Sequence, residues 1–129
     1  MPEDEAYVLD ASALLALLHR EPGWDAVATI LGASATSAVN WSEVIQKAGE
    51  RGIDTSQLAL RFSELGVEIV PFDQTQAEEA ARLWLGGLRS LSLGDRACLA
   101  TAERAGATAV TADRAWADLD LPIRITVIR

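Results

Sequence analysis

The run Tyr7-Val8-Leu9-Asp10 is a short apolar segment of residues that favour strands, and it ends at a carboxylate. A helical pattern rich in Ala and Leu follows at once, from Ser12 to Arg20, and Pro22-Gly23 stops it. We therefore predict a strand over about residues 6–10 with a helix directly after it. A strand that runs into a helix in this way is typical of a parallel sheet, whose strands are joined by helical crossovers.

The same alternation continues to the end of the chain. Short runs, most of them rich in Val and Ile, predict further strands at about residues 34–38, 67–71, 107–111 and 124–128. Helical patterns separate them, over residues 23–31, 40–51, 56–64, 75–88, 94–105 and 114–119. This alternation predicts an α/β fold, with a central, mostly parallel sheet of about five strands and helices on both of its faces.

The composition fits one compact domain over residues 1–129. This length is common for a single domain, and 50% of the residues are hydrophobic, which is enough for a core. The longest apolar stretch, Ala11 to Leu18, is too short to cross a bilayer. The acidic start Met1-Pro2-Glu3-Asp4-Glu5 differs from the basic start of a signal peptide, and the single cysteine excludes an internal disulfide framework. We therefore predict a cytoplasmic protein with no membrane partner.

The charge balance excludes one class of function. The chain has 11 Lys and Arg residues against 19 Asp and Glu residues, which gives a net charge of −8. Such a chain does not hold nucleic acid by broad neutralisation of phosphates. An enzyme that contacts a phosphate through a metal ion remains compatible with this charge.

Four acidic residues stand where a strand or loop meets a helix: Asp10, Glu43, Asp95 and Asp113. In a parallel α/β sheet such junctions converge at the carboxyl ends of the strands, where ligands bind. Four carboxylates at one edge repel each other unless a cation neutralises them. Mg²⁺ or Mn²⁺ suits a site built only from oxygen ligands. The sequence thus predicts a metal site at this edge.

Each acid also has a simpler explanation as a helix cap. Asp95 follows Ser92 by three residues, and Glu43 follows Asn40 by three, the spacing of a capping box. Asp10 and Asp113 each stand just before a helical pattern and fit an N-cap. Capping does not explain why a carboxylate ends the strand at Asp10, which we expect to be central and buried, because burial of an unpaired carboxylate is costly.

Other kinds of site fit the sequence less well. An aspartyl phosphatase needs a second Asp two residues after Asp10, where Ser12 stands. An adhesion-type Asp-x-Ser-x-Ser motif fails at Leu14. One histidine, His19, and one cysteine, Cys98, cannot build a usual zinc site. The pair Gly86-Gly87 lacks the Lys and Ser or Thr of a phosphate-binding loop.

Four motifs in order resemble the PIN-domain nucleases and, within them, the VapC-type toxins of bacterial toxin–antitoxin pairs. The resemblance covers nearly the whole chain and implies a three-layer α/β/α sandwich. Its pattern of three aspartates and one glutamate falls on Asp10, Glu43, Asp95 and Asp113, and its supporting hydroxyl positions fall on Ser12 and Thr111. The motifs are Val8-Leu9-Asp10-Ala11-Ser12, Ser37-Ala38-Val39-Asn40-Trp41-Ser42-Glu43, Leu91-Ser92-Leu93-Gly94-Asp95-Arg96-Ala97-Cys98-Leu99-Ala100 and Val110-Thr111-Ala112-Asp113-Arg114-Ala115-Trp116.

This resemblance implies a Mg²⁺- or Mn²⁺-dependent endoribonuclease that acts as the toxin of such a pair. It implies three partners: an RNA substrate, a cognate antitoxin protein and a second copy in a homodimer. We expect apolar helix faces, including those with Trp24 or Trp84, to form the antitoxin groove. Two alternatives stay open, a PIN-fold binding or scaffold module with little catalysis, and a DNA nuclease or phosphatase. The sequence does not identify a contact to a 2′-hydroxyl, by which a protein distinguishes RNA from DNA.

Overall fold

The computed structural model describes residues 5–129, so the first four residues of the acidic start lie outside the described part of the chain. Strands and helices alternate as the sequence predicts. The strands are β1 (Tyr7–Leu9), β2 (Ser34–Ser37), β3 (Glu68–Val70), β4 (Thr108–Thr111) and β5 (Ile125–Val127). The helices are α1 (Ala11–His19), α2 (Trp24–Ile30), α3 (Ala38–Glu50), α4 (Leu58–Glu64), α5 (Gln74–Leu85) and α6 (Leu93–Ala105), and two short 3-10 helices cover Leu31–Ala33 and Arg114–Asp118.

All five strands form one sheet in the order β3-β2-β1-β4-β5, and every pairing is parallel. β1 is the central strand, with Val8 opposite Ala35 of β2 on one side and Ala109 of β4 on the other. Both Val8 and Leu9 are buried, as the apolar run predicts for a central strand. The prediction of a mostly parallel sheet of about five strands is therefore confirmed.

Two apolar cores cover the two faces of the sheet. Leu9 and Val110 pack with buried residues of α1 to α4, whereas Val8 and Ala109 pack with α6 and with Trp116 of the second 3-10 helix. Neighbouring residues of one strand enter opposite cores because side chains alternate between the two faces of a sheet. The predicted three-layer α/β/α sandwich is confirmed, and Asp10 follows this alternation at the end of the central strand.

The predicted capping box of Asn40 and Glu43 is wrong, and so is the predicted start of their helix at residue 40. α3 begins at Ala38, because Ser37 is still extended and its side chain caps the helix by accepting from the amide of Val39. The helix thus starts two residues earlier than the sequence pattern indicates, which places Asn40 in its first turn and Glu43 in its second. Within residues 5–129 we find no helix with the length and apolar character needed to cross a membrane.

Candidate active site

Asp10 lies at the centre of the candidate site, at the end of β1, and is only 5% exposed. One carboxylate oxygen, Oδ1, accepts from the amide of Ala13 at 2.9 Å and from the hydroxyl of Ser12 at 2.7 Å. The other oxygen, Oδ2, accepts from the hydroxyl of Thr111 at 2.6 Å. The predicted N-cap of α1 is therefore confirmed, and two hydroxyl groups fix the carboxylate in one orientation.

The Thr111 hydroxyl also connects Asp10 to Asp113. Thr111 Oγ1 accepts from the amide of Asp113 at 3.0 Å while it donates to Asp10. Ser12 makes a second link, since its Oγ accepts from the amide of Ala112 at 2.9 Å. Asp113 is exposed and caps the 3-10 helix through the amide of Ala115 at 2.9 Å. Asp10 at the end of β1 and Asp113 after β4 are thus linked through the Thr111 hydroxyl.

Asp95 and Glu43 meet at the start of α6. Asp95 forms the predicted capping box with Ser92, accepting from its amide at 3.0 Å while its own amide donates to the Ser92 hydroxyl at 3.1 Å. Asn40 connects Glu43 to the neighbouring Gly94: its Nδ2 donates to Glu43 Oε1 at 3.1 Å and to the Gly94 carbonyl at 3.0 Å. The roles of Asn40 and Gly94 are absent from the sequence prediction. Their only signal is the three-residue spacing of Asn40 and Glu43, which puts both on one face of α3.

The electrostatics show that these carboxylates share one neighbourhood. Burial raises the pKa of Asp10 from 3.8 to about 6, and the negative charge of Asp95 raises it as well, against the lowering effect of the hydrogen bonds. Burial also raises the pKa of the Cys98 thiol on α6, to which the charges of Asp10, Asp95 and Glu43 add. The charges of three of the four predicted acids thus act on Cys98, and Thr111 connects the backbone of the fourth, Asp113, to Asp10.

None of the four acids forms an ion pair within the described chain. The two ion pairs there join Arg51 to Glu21 at 4.0 Å and Arg104 to Asp73 at 3.9 Å. A buried carboxylate that lacks a basic partner and lies beside other carboxylates is poorly neutralised by the protein itself. An all-oxygen set of this kind suits Mg²⁺ or Mn²⁺.

The side chains are not arranged as a complete cage. Among residues 5–129, no group of three or more His, Cys, Asp or Glu side chains is placed to hold a metal ion directly. The physical reason is visible in the caps, since Asp95 Oδ2 and Asp113 Oδ1 each accept from a backbone amide. Mg²⁺ usually keeps several waters and takes one or two carboxylates directly, so these oxygen donors are compatible with this ion in their chemistry.

The tryptophans contribute mainly to packing. Trp116 is buried, and Trp41 packs edge-to-face on Phe62 with ring centroids 5.7 Å apart. Trp84 is 38% exposed and lies beside Leu85 and Arg96 in a shallow pocket of about 360 Å³. The guanidinium of Arg96 lies 5.2 Å from the Trp84 ring centroid. The Arg96 side chain also donates to the carbonyl of Ala80 on α5 at 3.1 Å, so this pocket lies between α5 and α6.

A family model described as the PIN domain matches residues 7–121. No curated protein matches the chain in sequence. Solved structures do resemble it. A toxin–antitoxin complex from Klebsiella pneumoniae contains a chain that is 21% identical with a TM-score of 0.75, over 96% of this chain and 98% of that one.

Two further structures show the same likeness. DNA-bound VapBC from Salmonella typhimurium is 15% identical with a TM-score of 0.73, over 97% of this chain and 99% of that one. The sarcin-ricin loop cleaving toxin VapC20 from Mycobacterium tuberculosis is 18% identical with a TM-score of 0.69, over 92% of this chain and 99% of that one. At these identities the likeness is one of fold.

Proposed function

The chain belongs to the PIN domain family, and from that premise we propose that it is a Mg²⁺- or Mn²⁺-dependent endoribonuclease, the toxin of a toxin–antitoxin pair. One observation carries the proposal. The central strand ends in a buried carboxylate, Asp10, which two hydroxyl groups orient and no basic residue of the described chain neutralises. A buried carboxylate with a raised pKa and no basic partner is typical of a binding or catalytic site.

Each acid has a distinct task in this proposal. Asp10 is the fixed metal ligand, since Ser12 and Thr111 hold both of its oxygens. Asp95 and Asp113 each keep one oxygen free of the backbone cap and complete the ligand set, directly or through water. Glu43 ligates the metal or orients the attacking water. When bound, the metal would lower the pKa of that water and stabilise negative charge on the phosphate.

The net charge supports a metal-dependent route to the substrate. A chain at −8 repels a polyanion at long range, and the four carboxylates concentrate negative charge at the site itself. A phosphodiester approaches such a site only when cations offset that charge. VapC20 from Mycobacterium tuberculosis is a toxin that cleaves the sarcin-ricin loop, and its likeness to this chain in fold supports RNA as the substrate class.

We propose an antitoxin as the main protein partner, since similar structures are toxin–antitoxin complexes. We assign its docking face to the surface of Trp84 and Leu85, which are 38% and 73% exposed and line a shallow pocket with Arg96, the residue that follows Asp95 in the chain. We expect a segment bound there to extend towards the carboxylates. A second exposed apolar face, formed by Leu60 on α4 and Leu65 directly after it, remains for a homodimer.

We place the protein in the cytoplasm, where RNA and a DNA-binding antitoxin are both available.

Cleavage of matched oligonucleotides tests the enzymatic part. Purified protein is incubated with single-stranded RNA and with DNA of the same sequence, in Mn²⁺ or in EDTA. We expect cleavage of RNA that EDTA abolishes and that Asp10→Asn removes. Asp25→Asn is the matched control, because Asp25 is an exposed acid on α2 and its loss changes the net charge equally.

The other outcomes separate the alternatives. Cleavage of DNA in preference to RNA would identify a DNA nuclease. Absence of cleavage with both substrates, in a protein that still binds an antitoxin, would identify a binding module. Equal loss of activity in Asp10→Asn and Asp25→Asn would show that the assigned carboxylate has no special role.

A further inference from the structure

Asn40 joins two elements of the fold at the edge of the acidic site. It is 1% exposed, on the first turn of α3. Its single amide nitrogen donates both to Glu43 Oε1, one turn further along the same helix, and to the carbonyl of Gly94 in α6, 54 residues away. The same side chain thus ties the Glu43 carboxylate to the start of the helix that carries Asp95.

The chemistry of the partners fixes the orientation of this amide. A carboxylate and a carbonyl can only accept, so Asn40 must turn its NH₂ group towards both of them. Its other atom, Oδ1, is buried and receives no hydrogen bond from any described residue. An unsatisfied buried acceptor destabilises the fold. Stability alone therefore does not explain an asparagine at this position. The two hydrogen bonds that it donates, to Glu43 and to Gly94, give it a role in positioning.

Gly94 provides the space for Glu43. A Cβ atom built on Gly94 would lie 2.2 Å from Glu43 Oε1 and 3.0 Å from its Cδ, much closer than atoms can approach. Gly94 is buried inside the first turn of α6. A side chain at this position would therefore push the carboxylate of Glu43 away from the helix, towards solvent.

We propose that Asn40 and Gly94 are positioning residues, which hold Glu43 against the start of α6 and within reach of the other carboxylates. The reason is electrostatic. Glu43 lies against Gly94, the residue before Asp95, so we expect repulsion between the like charges to favour conformations in which the flexible Glu43 side chain turns away. Asn40 opposes this with a charge-assisted hydrogen bond, and Gly94 leaves the position open. The part of this inference that concerns catalysis rests on the proposed nuclease function.

Gly94→Ala tests the space requirement with little risk to the fold, because the clashing atoms are the far end of a flexible side chain. Gly49→Ala is the matched control. Gly49 lies in α3, and a Cβ there meets nothing within 4 Å. Calorimetric titration with Mn²⁺ is the first readout, and kcat and KM for RNA cleavage are the second. We expect Gly94→Ala to weaken Mn²⁺ binding or lower kcat about 10- to 100-fold, and Gly49→Ala to change neither.

Asn40→Asp tests the hydrogen bonds, since it keeps the shape and replaces the donor with an acceptor that repels both partners. Gln76→Glu is its control, because Gln76 is also a buried amide, 2% exposed, but lies on α5 and contacts Thr101. We expect both variants to lower the melting temperature. Only Asn40→Asp should also weaken Mn²⁺ binding or lower kcat while leaving KM for RNA within about twofold.

A double-variant cycle separates positioning from general damage. If Gly94 acts through Glu43, Gly94→Ala has no further effect on Mn²⁺ affinity in a Glu43→Ala background. Additive effects of the two substitutions on Mn²⁺ affinity would overturn the proposal. So would a Gly94→Ala variant whose Mn²⁺ affinity and kcat equal those of the unmodified protein. Failure of the unmodified protein to bind Mn²⁺ would overturn it as well. Protein that binds Mn²⁺ and follows the cycle but cleaves no RNA would support the positioning role and refute the nuclease function.

Discussion

The hydroxyl of Thr111 donates to Asp10 Oδ2 at 2.6 Å and at the same time accepts from the amide of Asp113 at 3.0 Å. One side chain therefore couples two of the proposed ligands, from strands that are neighbours in the sheet but about a hundred residues apart in the chain. A hydroxyl suits this task because it is both a donor and an acceptor. The orientation of the Asp10 carboxylate and the position of the Asp113 backbone therefore both depend on this group.

Thr111→Val removes that coupling while preserving the shape of the β4 side chain. Because hydrogen bonding to Thr111 lowers the pKa of Asp10, we expect its loss to raise that pKa further above about 6. Mn²⁺ binding at pH 6 should weaken several-fold, and less so at pH 8, where the carboxyl group is ionised in both proteins. Calorimetry at the two pH values measures the change. Thr108→Val, on the same strand, is the control, and equal weakening by both variants would contradict the assigned role.

The raised pKa of Asp10 also predicts how stability depends on pH. The unfolded chain holds this proton with a pKa near 3.8, and the folded chain holds it with a pKa of about 6. The folded state therefore binds more protons between these values. Protonation of Asp10 therefore adds to the free energy of unfolding in full below about pH 4. This contribution, on the order of 3 kcal/mol, is lost as the pH rises through about 6.

Asp10→Asn removes this titration. In EDTA, the variant should gain free energy of unfolding relative to wild type as the pH rises from 4 to 7, and the difference should level off above pH 7. Urea unfolding at each pH measures the free energy of unfolding. For the control Asp25→Asn, its difference from wild type should not change with pH. A difference between Asp10→Asn and wild type that does not depend on pH would show that burial leaves the Asp10 carboxyl unperturbed.

The sheet and most of the site were predictable because their signals are local. Tyr7 to Leu9 is apolar without a break since β1 is covered on both faces, and each of Asp10, Asp95 and Asp113 stands beside its own strand or helix boundary. The linkage between Asn40 and Gly94 was not predictable, because it depends on the distance between α3 and α6, which no sequence spacing sets. The spacing of Asn40 and Glu43 even suggested a capping box. The true N-cap is Ser37, and its sequence neighbours do not show that one residue both ends β2 and caps α3.

Divalent metal should stabilise the fold through the clustered carboxylates. A ligand that binds only the folded state raises the melting temperature, and relief of repulsion adds to this effect. We expect Mn²⁺ at millimolar concentration to raise the melting temperature of wild type by several degrees and to raise that of Asp10→Asn far less. Scanning fluorimetry with and without Mn²⁺ is sufficient. An equal response of the two proteins would place the bound metal elsewhere.

Each of the four acids should be needed for cleavage and dispensable for folding. Asp10→Ala, Glu43→Ala, Asp95→Ala and Asp113→Ala should each remove most RNA cleavage, by about a hundredfold or more. Their stabilities should differ, because Asp10→Ala, Asp95→Ala and Asp113→Ala each lose a helix-capping hydrogen bond at a cost of about 1 kcal/mol, whereas Glu43→Ala loses none. Single-turnover kinetics and thermal melts measure both quantities. A variant with the wild-type cleavage rate would remove its residue from the proposed site.

Antitoxin binding should compete with metal at the same carboxylates. A chain with a net charge of −8 and an acidic site attracts a basic group, so we expect the antitoxin segment at the Trp84 surface to place an Arg or Lys among Asp10, Asp95 and Asp113. Raising Mn²⁺ at fixed ionic strength should then weaken antitoxin binding, and Asp10→Asn should weaken it without metal. Asp25→Asn should not. Titration calorimetry separates these effects, because steering by overall charge alone would make the two variants equal. If neither Mn²⁺ nor Asp10→Asn changes the affinity for the antitoxin, inhibition takes place away from the carboxylates. The assignment of the docking face to the Trp84 surface would then be unsupported.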